Sequence, residues 1–118
     1  AEGDVVLAVI GEYPYAEGYG DDGDLSLNPA DNEILDRVRA SGNPLIVVML
    51  SGRPLLVHDQ IDGFDAFVAS FLPGMAGEGI ADVLYGDTQP KAKLNFVWPT
   101  SSEGTGVLFE LGSGLGYD

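Results

Sequence analysis

Val5-Val6-Leu7-Ala8-Val9-Ile10, running straight into Gly11-Glu12-Tyr13-Pro14-Tyr15-Ala16-Glu17-Gly18-Tyr19-Gly20-Asp21, decides how this chain is read. The first six residues are an unbroken apolar run with β-branched side chains, which suits a strand buried on both faces of a parallel sheet. The eleven that follow do not continue it. Glycine recurs at 11, 18 and 20, and Pro14 removes a backbone donor. They form a Gly- and Tyr-rich loop after the strand.

Outward from that loop, helical and extended patterns alternate. Asp21 to Asp24 reads as a polar turn with Asp21 as its cap. Asn28-Pro29 predicts an N-cap followed by proline at the first helical position, with Asp31 and Glu33 in the first turn. Ile34, Leu35 and Val38 recur at helical spacing, Arg37 and Arg39 suit the negative end of the helix dipole, and Gly42 stops it. Pro44 then introduces Leu45 to Leu50, a second buried strand, and Ser51-Gly52-Arg53-Pro54 turns the chain at its carboxyl end. Leu55 to Ile61 fits no single pattern. Ala66 to Phe71 reads as a third strand closed by Leu72-Pro73-Gly74, and Glu78 to Tyr85 as a short helix with Ile80, Val83 and Leu84 on one side. Leu94 to Trp98 reads as a last short strand, and the Gly- and Ser-rich tail from Thr100 as irregular. The alternation predicts an α/β fold, a three-layer sandwich with a mostly parallel sheet. Three or four strands are few for that architecture, so part of the sheet reads as missing.

The 118 residues make at most one domain, spanning 1–118. Nineteen acids stand against five bases, a formal charge of −14. That balance argues against nucleic acid and against anionic membranes as partners, because phosphate contacts need clustered Lys and Arg. An acidic, solubilising surface is common in secreted or salt-adapted proteins. No basic residue precedes Arg37, while Glu2, Asp4, Glu12, Glu17, Asp21, Asp22 and Asp24 all do. Carboxylates crowded in this way raise one another's pKa. Cysteine is absent, which removes disulfides and thiolate chemistry. His58 is the sole histidine, so no histidine-based metal site or Ser-His-Asp triad can be assembled. Gly74, Gly77 and Gly79 do not form the strand-to-helix glycine loop of nucleotide sites. No cofactor is called for. No run has the length of a membrane-spanning helix. Ala1, directly before a strand with no initiating Met, reads as the start of a mature product or of a cut piece.

The loop's chemistry is that of carboxyl groups beside flat, hydroxyl-bearing rings, which suits a sugar ligand. Glu17 is the candidate general acid/base, and its plain alternative is a solvated loop acid. Glu12 follows the strand directly and suits a structural role, accepting from loop amides. Tyr15 and Tyr19 are candidate sugar platforms, with anchoring of the loop as the competing role. Arg53 suits charge-assisted hydrogen bonds that tie neighbouring loops to one of the many acids. Trp98 suits packing in the core or at a domain interface.

Several separated segments, in the same order, resemble one family. They are Val9 through Asp21, Leu25-Ser26-Leu27, Leu50-Ser51-Gly52-Arg53-Pro54, Leu72-Pro73-Gly74 through Gly79-Ile80-Ala81-Asp82-Val83-Leu84-Tyr85-Gly86-Asp87, Pro90-Lys91-Ala92-Lys93-Leu94, and Leu108 through Tyr117. Together they resemble the C-terminal part of the second, α/β-sandwich domain of glycoside hydrolase family 3, whose members include β-glucosidases and exo-β-glucanases. The resemblance implies a retaining β-glycoside hydrolase acting on a β-linked glucoside or oligosaccharide. It implies a nucleophilic Asp on a preceding (β/α)8 barrel, against which this domain leans, and an acid/base Glu from a Pro-Tyr-x-Glu loop, a position that falls on Glu17. The barrel is absent from this chain, and so is the N-terminal part of the sandwich domain, so the isolated chain is expected to be inactive. A secreted or periplasmic location follows as an expectation, with the cytoplasm left open. The alternative reading is a non-catalytic flavodoxin-like fragment or engineered module. In a further variant of it, a homodimer completes the truncated sheet.

Overall fold

Val6–Gly11 forms strand β1 and Leu45–Leu50 forms strand β2 in the computed structural model, which describes residues 4–116. Ala1, and Tyr117 at the end of the family-like tail, lie outside those residues. Ala66–Ala69 forms β3, and the three strands pair in the order β1-β2-β3, all parallel. Val6 stands opposite Leu45 and Gly11 opposite Leu50, so the carboxyl ends of β1 and β2 finish level. Helix α1, Pro29–Arg39, crosses between them. Asn28 caps it as expected: its side-chain oxygen accepts from the Asp31 amide at 2.9 Å. Gly42, beyond the helix end, adopts φ +73°, the left-handed conformation that releases the chain toward β2. Helix α2, Glu78–Leu84, ends one residue short of expectation, with Tyr85 as its C-cap.

One face of the sheet carries the core. Ala8 and Ile10 of β1 and Leu45, Val47 and Met49 of β2 point toward Leu35 of α1 and toward Leu55, Val57 and Trp98. Trp98 is 1% exposed and organises its surroundings. The rings of Phe67, Phe71, Phe96 and Phe109 lie 5.7–6.5 Å from it, centroid to centroid, in edge-on or tilted arrangements that suit aromatic quadrupoles. Its indole N–H donates to the Leu55 carbonyl at 2.9 Å, which satisfies both buried groups.

The structure corrects three expectations. β1 is not buried on both faces: Leu7 and Val9 are 51% and 54% exposed, and only β2 is covered front and back. On that second face α2 stands off from β1, leaving an apolar cleft of about 230 Å³ lined by Leu7, Val9, Val48, Ile80 and Leu84 among others. β3 stops at Ala69 rather than Phe71, because Phe71 turns left-handed, φ +53°, and its ring packs against Phe96. Leu94 to Trp98 does not form a strand. Leu94, Phe96 and Trp98 do share the core-facing side. Their backbone, however, pairs only in patches with the tail, through Trp98 to Phe109 and Leu94 to Ser113.

Trp98→Ala should cost about 3–5 kcal/mol by emptying the centre of this cluster. Trp98→Phe should cost less, about 1–3 kcal/mol, chiefly through the orphaned Leu55 carbonyl. Urea unfolding measures both, and a Trp98→Phe loss near zero would mean that the indole hydrogen bond contributes nothing.

Candidate active-site loop

The loop that follows β1 spans the level ends of β1 and β2, and its two rims are pinned differently. At its far rim, Leu25 and Ser26 lie alongside Leu56, with the Leu56 amide donating to the Leu25 carbonyl at 2.8 Å. Asp22 and Asp24 each accept from the backbone amide two residues on, both at 2.9 Å. These two, rather than Asp21, cap the polar turn through their side chains. The Ser26 hydroxyl and then the Ser26 amide hold the Asp24 carboxyl below its ordinary pKa. At the near rim, Asp31 accepts from the Gly11 amide at 3.1 Å and from the Asn28 side chain at 2.7 Å, which ties the amino end of α1 to the end of β1.

Glu12 and Arg53 meet between the two strand ends. Arg53 Nε lies 3.0 Å from Glu12 Oε1, and the two side chains are only 18% and 20% exposed. The other Glu12 oxygen accepts from the Gly52 amide and from the Tyr15 hydroxyl, each at 3.1 Å. The guanidinium lies over the Tyr15 ring, 4.7 Å from its centroid. It also donates to the Gly20 carbonyl and, at 3.5 Å, to that of Asp22. Tyr15, then Glu12 and Asp22, push the Arg53 pKa further above its already high ordinary value. Tyr15 is seated between Gly20 and Gly52, where a Cβ at either position would strike its ring or hydroxyl. The structural roles expected for Glu12 and Arg53 are therefore observed, and on each other.

Glu17 begins a 3-10 turn, Glu17–Gly20, and has φ +51°, uncommon for a residue with a side chain. It is exposed. Among the described residues its carboxylate makes no hydrogen bond or ion pair. Tyr19 is 97% exposed and Tyr13 87%, whereas Tyr15 is 39% exposed with one face under Arg53. A cleft of about 210 Å³ opens beneath the loop, lined by Glu12, Tyr15, Tyr19, Asp22, Asn28 and Arg53 among others, but not by Glu17. The loop thus leaves Glu17 exposed outside its own cleft, whereas Tyr19, though exposed, borders that cleft. His58 pairs with the neighbouring Asp59 at 3.3 Å. Among the described residues no group of three His, Asp or Glu side chains could hold a metal ion, and no helix is long and apolar enough to cross a membrane. The reach of Arg53 to the Gly20 and Asp22 carbonyls, at the end of the turn and beyond it, has no sequence signal, because backbone acceptors are the same at every residue.

Comparison with known proteins converges on one family. The model of the glycosyl hydrolase family 3 C-terminal domain matches residues 1–117. A lysosomal beta glucosidase of Dictyostelium discoideum is 33% identical over 97% of this chain and 16% of its own length. The periplasmic beta-glucosidase of Salmonella typhimurium is 31% identical over 85% of this chain and 13% of its own. Among solved structures, the exo-1,3/1,4-beta-glucanase of a Pseudoalteromonas species superposes with a TM-score of 0.84 at 39% identity, covering 96% of this chain and 16% of that one. The beta-glucosidase of Kluyveromyces marxianus, solved with glucose, gives 0.86 at 27% identity, covering 97% and 18%. The chain spans 13–16% of the length of the first curated relatives it matches.

Glu12→Ala leaves the mostly buried Arg53 guanidinium without its counter-charge and should lower stability by about 2–3 kcal/mol. Urea unfolding checks this, and a loss below about 0.5 kcal/mol would place the pair with ordinary surface ion pairs.

Proposed function

The chain belongs to the glycosyl hydrolase family 3 C-terminal domain family, and on that footing we propose that it is the acid/base-bearing part of a retaining β-glucosidase or exo-β-glucanase. Glu17 is the general acid/base. It protonates the glycosidic oxygen as the leaving group departs, then takes a proton from the water that resolves the glycosyl-enzyme. The nucleophilic carboxylate lies on a barrel domain outside this chain, and the substrate is a β-linked glucoside or oligosaccharide. Tyr19, and the free face of Tyr15, offer apolar area to a sugar ring. The active protein is secreted or periplasmic.

The observation that carries this reading is the outward presentation of Glu17. A complete site would turn its acid toward its own cleft, whereas this loop turns Glu17 away from the cleft beneath it and leaves it without a partner among the described residues. Such a carboxyl suits a site closed by a second surface. The exposed Leu7 and Val9 of β1 favour a second reading, in which two copies cover each other's bare sheet. Light scattering separates the two readings: a monomer at high concentration removes the dimer.

A chimera tests the assignment, with this chain replacing the segment it matches in the Pseudoalteromonas glucanase. Glu17→Ala in an active, folded chimera should lower turnover of an aryl β-glucoside by about 10²–10⁴-fold. Added azide should restore part of it and yield the β-glycosyl azide. Unchanged turnover, or a loss that azide does not relieve, overturns the assignment. The 118-residue chain alone should hydrolyse nothing.

A further inference from the structure

We propose that Arg53 is a positioning residue for the acid/base, holding the Glu17 turn in place from both sides while touching neither Glu17 nor substrate. The inference rests on the assignment of Glu17 above. Arg53 approaches the loop from the opposite strand end, and each of its contacts falls on one side or the other of Glu17. Its guanidinium covers the ring of Tyr15, two residues before Glu17. It donates to the carbonyl of Gly20, three residues after, and to that of Asp22. The turn between has little else to hold it: its own closing bond runs from the Asp21 amide to the Gly18 carbonyl at 3.2 Å.

Glu17 needs such support for a local reason. Its left-handed backbone is a conformation that persists in a non-glycine residue only where the surroundings enforce it. With the exposed carboxylate unpartnered among the described residues, the direction of the side chain is inherited from the backbone, and the backbone is suspended from Arg53. Arg53 is itself anchored. Its carbonyl accepts from Ser51 Oγ at 2.7 Å, Ser51 is 2% exposed, and its Nε is fixed by Glu12 at the end of β1. The chain of support runs from two paired strands through one ion pair to the acid.

A guanidinium is required because one planar group must serve an ion pair, a stacked ring and two carbonyls at once. A lysine carries the charge but has neither the fork nor the plane. Arg53→Lys is therefore the informative variant, since it keeps the charge beside Glu12 and spares the fold. In the 118-residue chain, chymotrypsin should cleave after Tyr15 and Tyr19 several-fold faster in Arg53→Lys than in the unsubstituted protein. Cleavage after the exposed Tyr85, distant in sequence and outside the loop, should keep its rate and serves as the internal reference.

In the glucanase chimera, the readout is how the loss depends on the leaving group. A phenyl β-glucoside needs its departing oxygen protonated, and a 2,4-dinitrophenyl β-glucoside does not. Arg53→Lys should lower kcat/KM about 100-fold on the phenyl substrate, as a misplaced acid would, and leave the dinitrophenyl substrate near the unsubstituted rate. Equal losses on both substrates, or unchanged cleavage after Tyr15 and Tyr19, overturn the positioning role. Glu17→Ala, assayed on the same pair, keeps the two ideas apart. If it shows no leaving-group dependence, the acid assignment fails. If it shows that dependence and Arg53→Lys does not, only the role of Arg53 fails.

Discussion

The ion pair of Glu12 with Arg53 joins the carboxyl ends of two neighbouring strands, and the loop above them is built around it. β1 and β2 pair in parallel and finish level, so residues just beyond each strand face one another across a short gap. An acid on one side and a guanidinium on the other close that gap at 3.0 Å, with their side chains 20% and 18% exposed. Once paired, each partner has capacity to spare. The carboxylate accepts from the Gly52 amide and the Tyr15 hydroxyl, and the guanidinium reaches the loop's ring and carbonyls. A single charge pair thereby converts the rigidity of a sheet into the shape of the long excursion between Glu12 and Leu27.

That rigidity comes from the opposite quarter of the domain. Trp98 and four phenylalanines fill the space against β2 and β3, and the indole bond to Leu55 locks the segment that follows Arg53. Leu56 then pairs with Leu25 and closes the far rim of the loop. The core and the loop are thus coupled through a few residues of backbone. The sheet's other face is less complete, with Leu7 and Val9 open to solvent beside a loosely packed α2. An unfinished second face and an outward-turned acid describe the same situation: both present surface suited to further protein.

Features decided by neighbours in the chain were legible in the sequence. β2 has the bounds that Leu45 to Leu50 predict, and Asn28, Pro29 and Gly42 mark α1 through capping chemistry that acts within a few residues. What depends on distant partners was not legible. Val5 to Ile10 reads the same whether or not a layer covers its second face. Leu94, Phe96 and Trp98 alternate as a strand would, and they do face the core together, yet no sheet edge receives them. The aims of Glu12 and Arg53 were readable because charged residues beside strand ends have few outlets. Their meeting, the seat of Tyr15 between two glycines, and the left-handed backbone of Glu17 belong to the assembled loop alone.

The distance between Glu17 and the nucleophile is the most direct measure of whether this loop is half of a retaining site. A crystal structure of the glucanase chimera, trapped with a 2-deoxy-2-fluoro-β-glucoside, would supply it. A retaining site requires the Glu17 carboxyl about 5–5.5 Å from the glycosylated carboxylate, on the leaving-group side of the sugar, and that is the expected result. A separation of about 6.5–9.5 Å, the range of inverting enzymes, would contradict it. So would a different carboxyl standing over the departing oxygen.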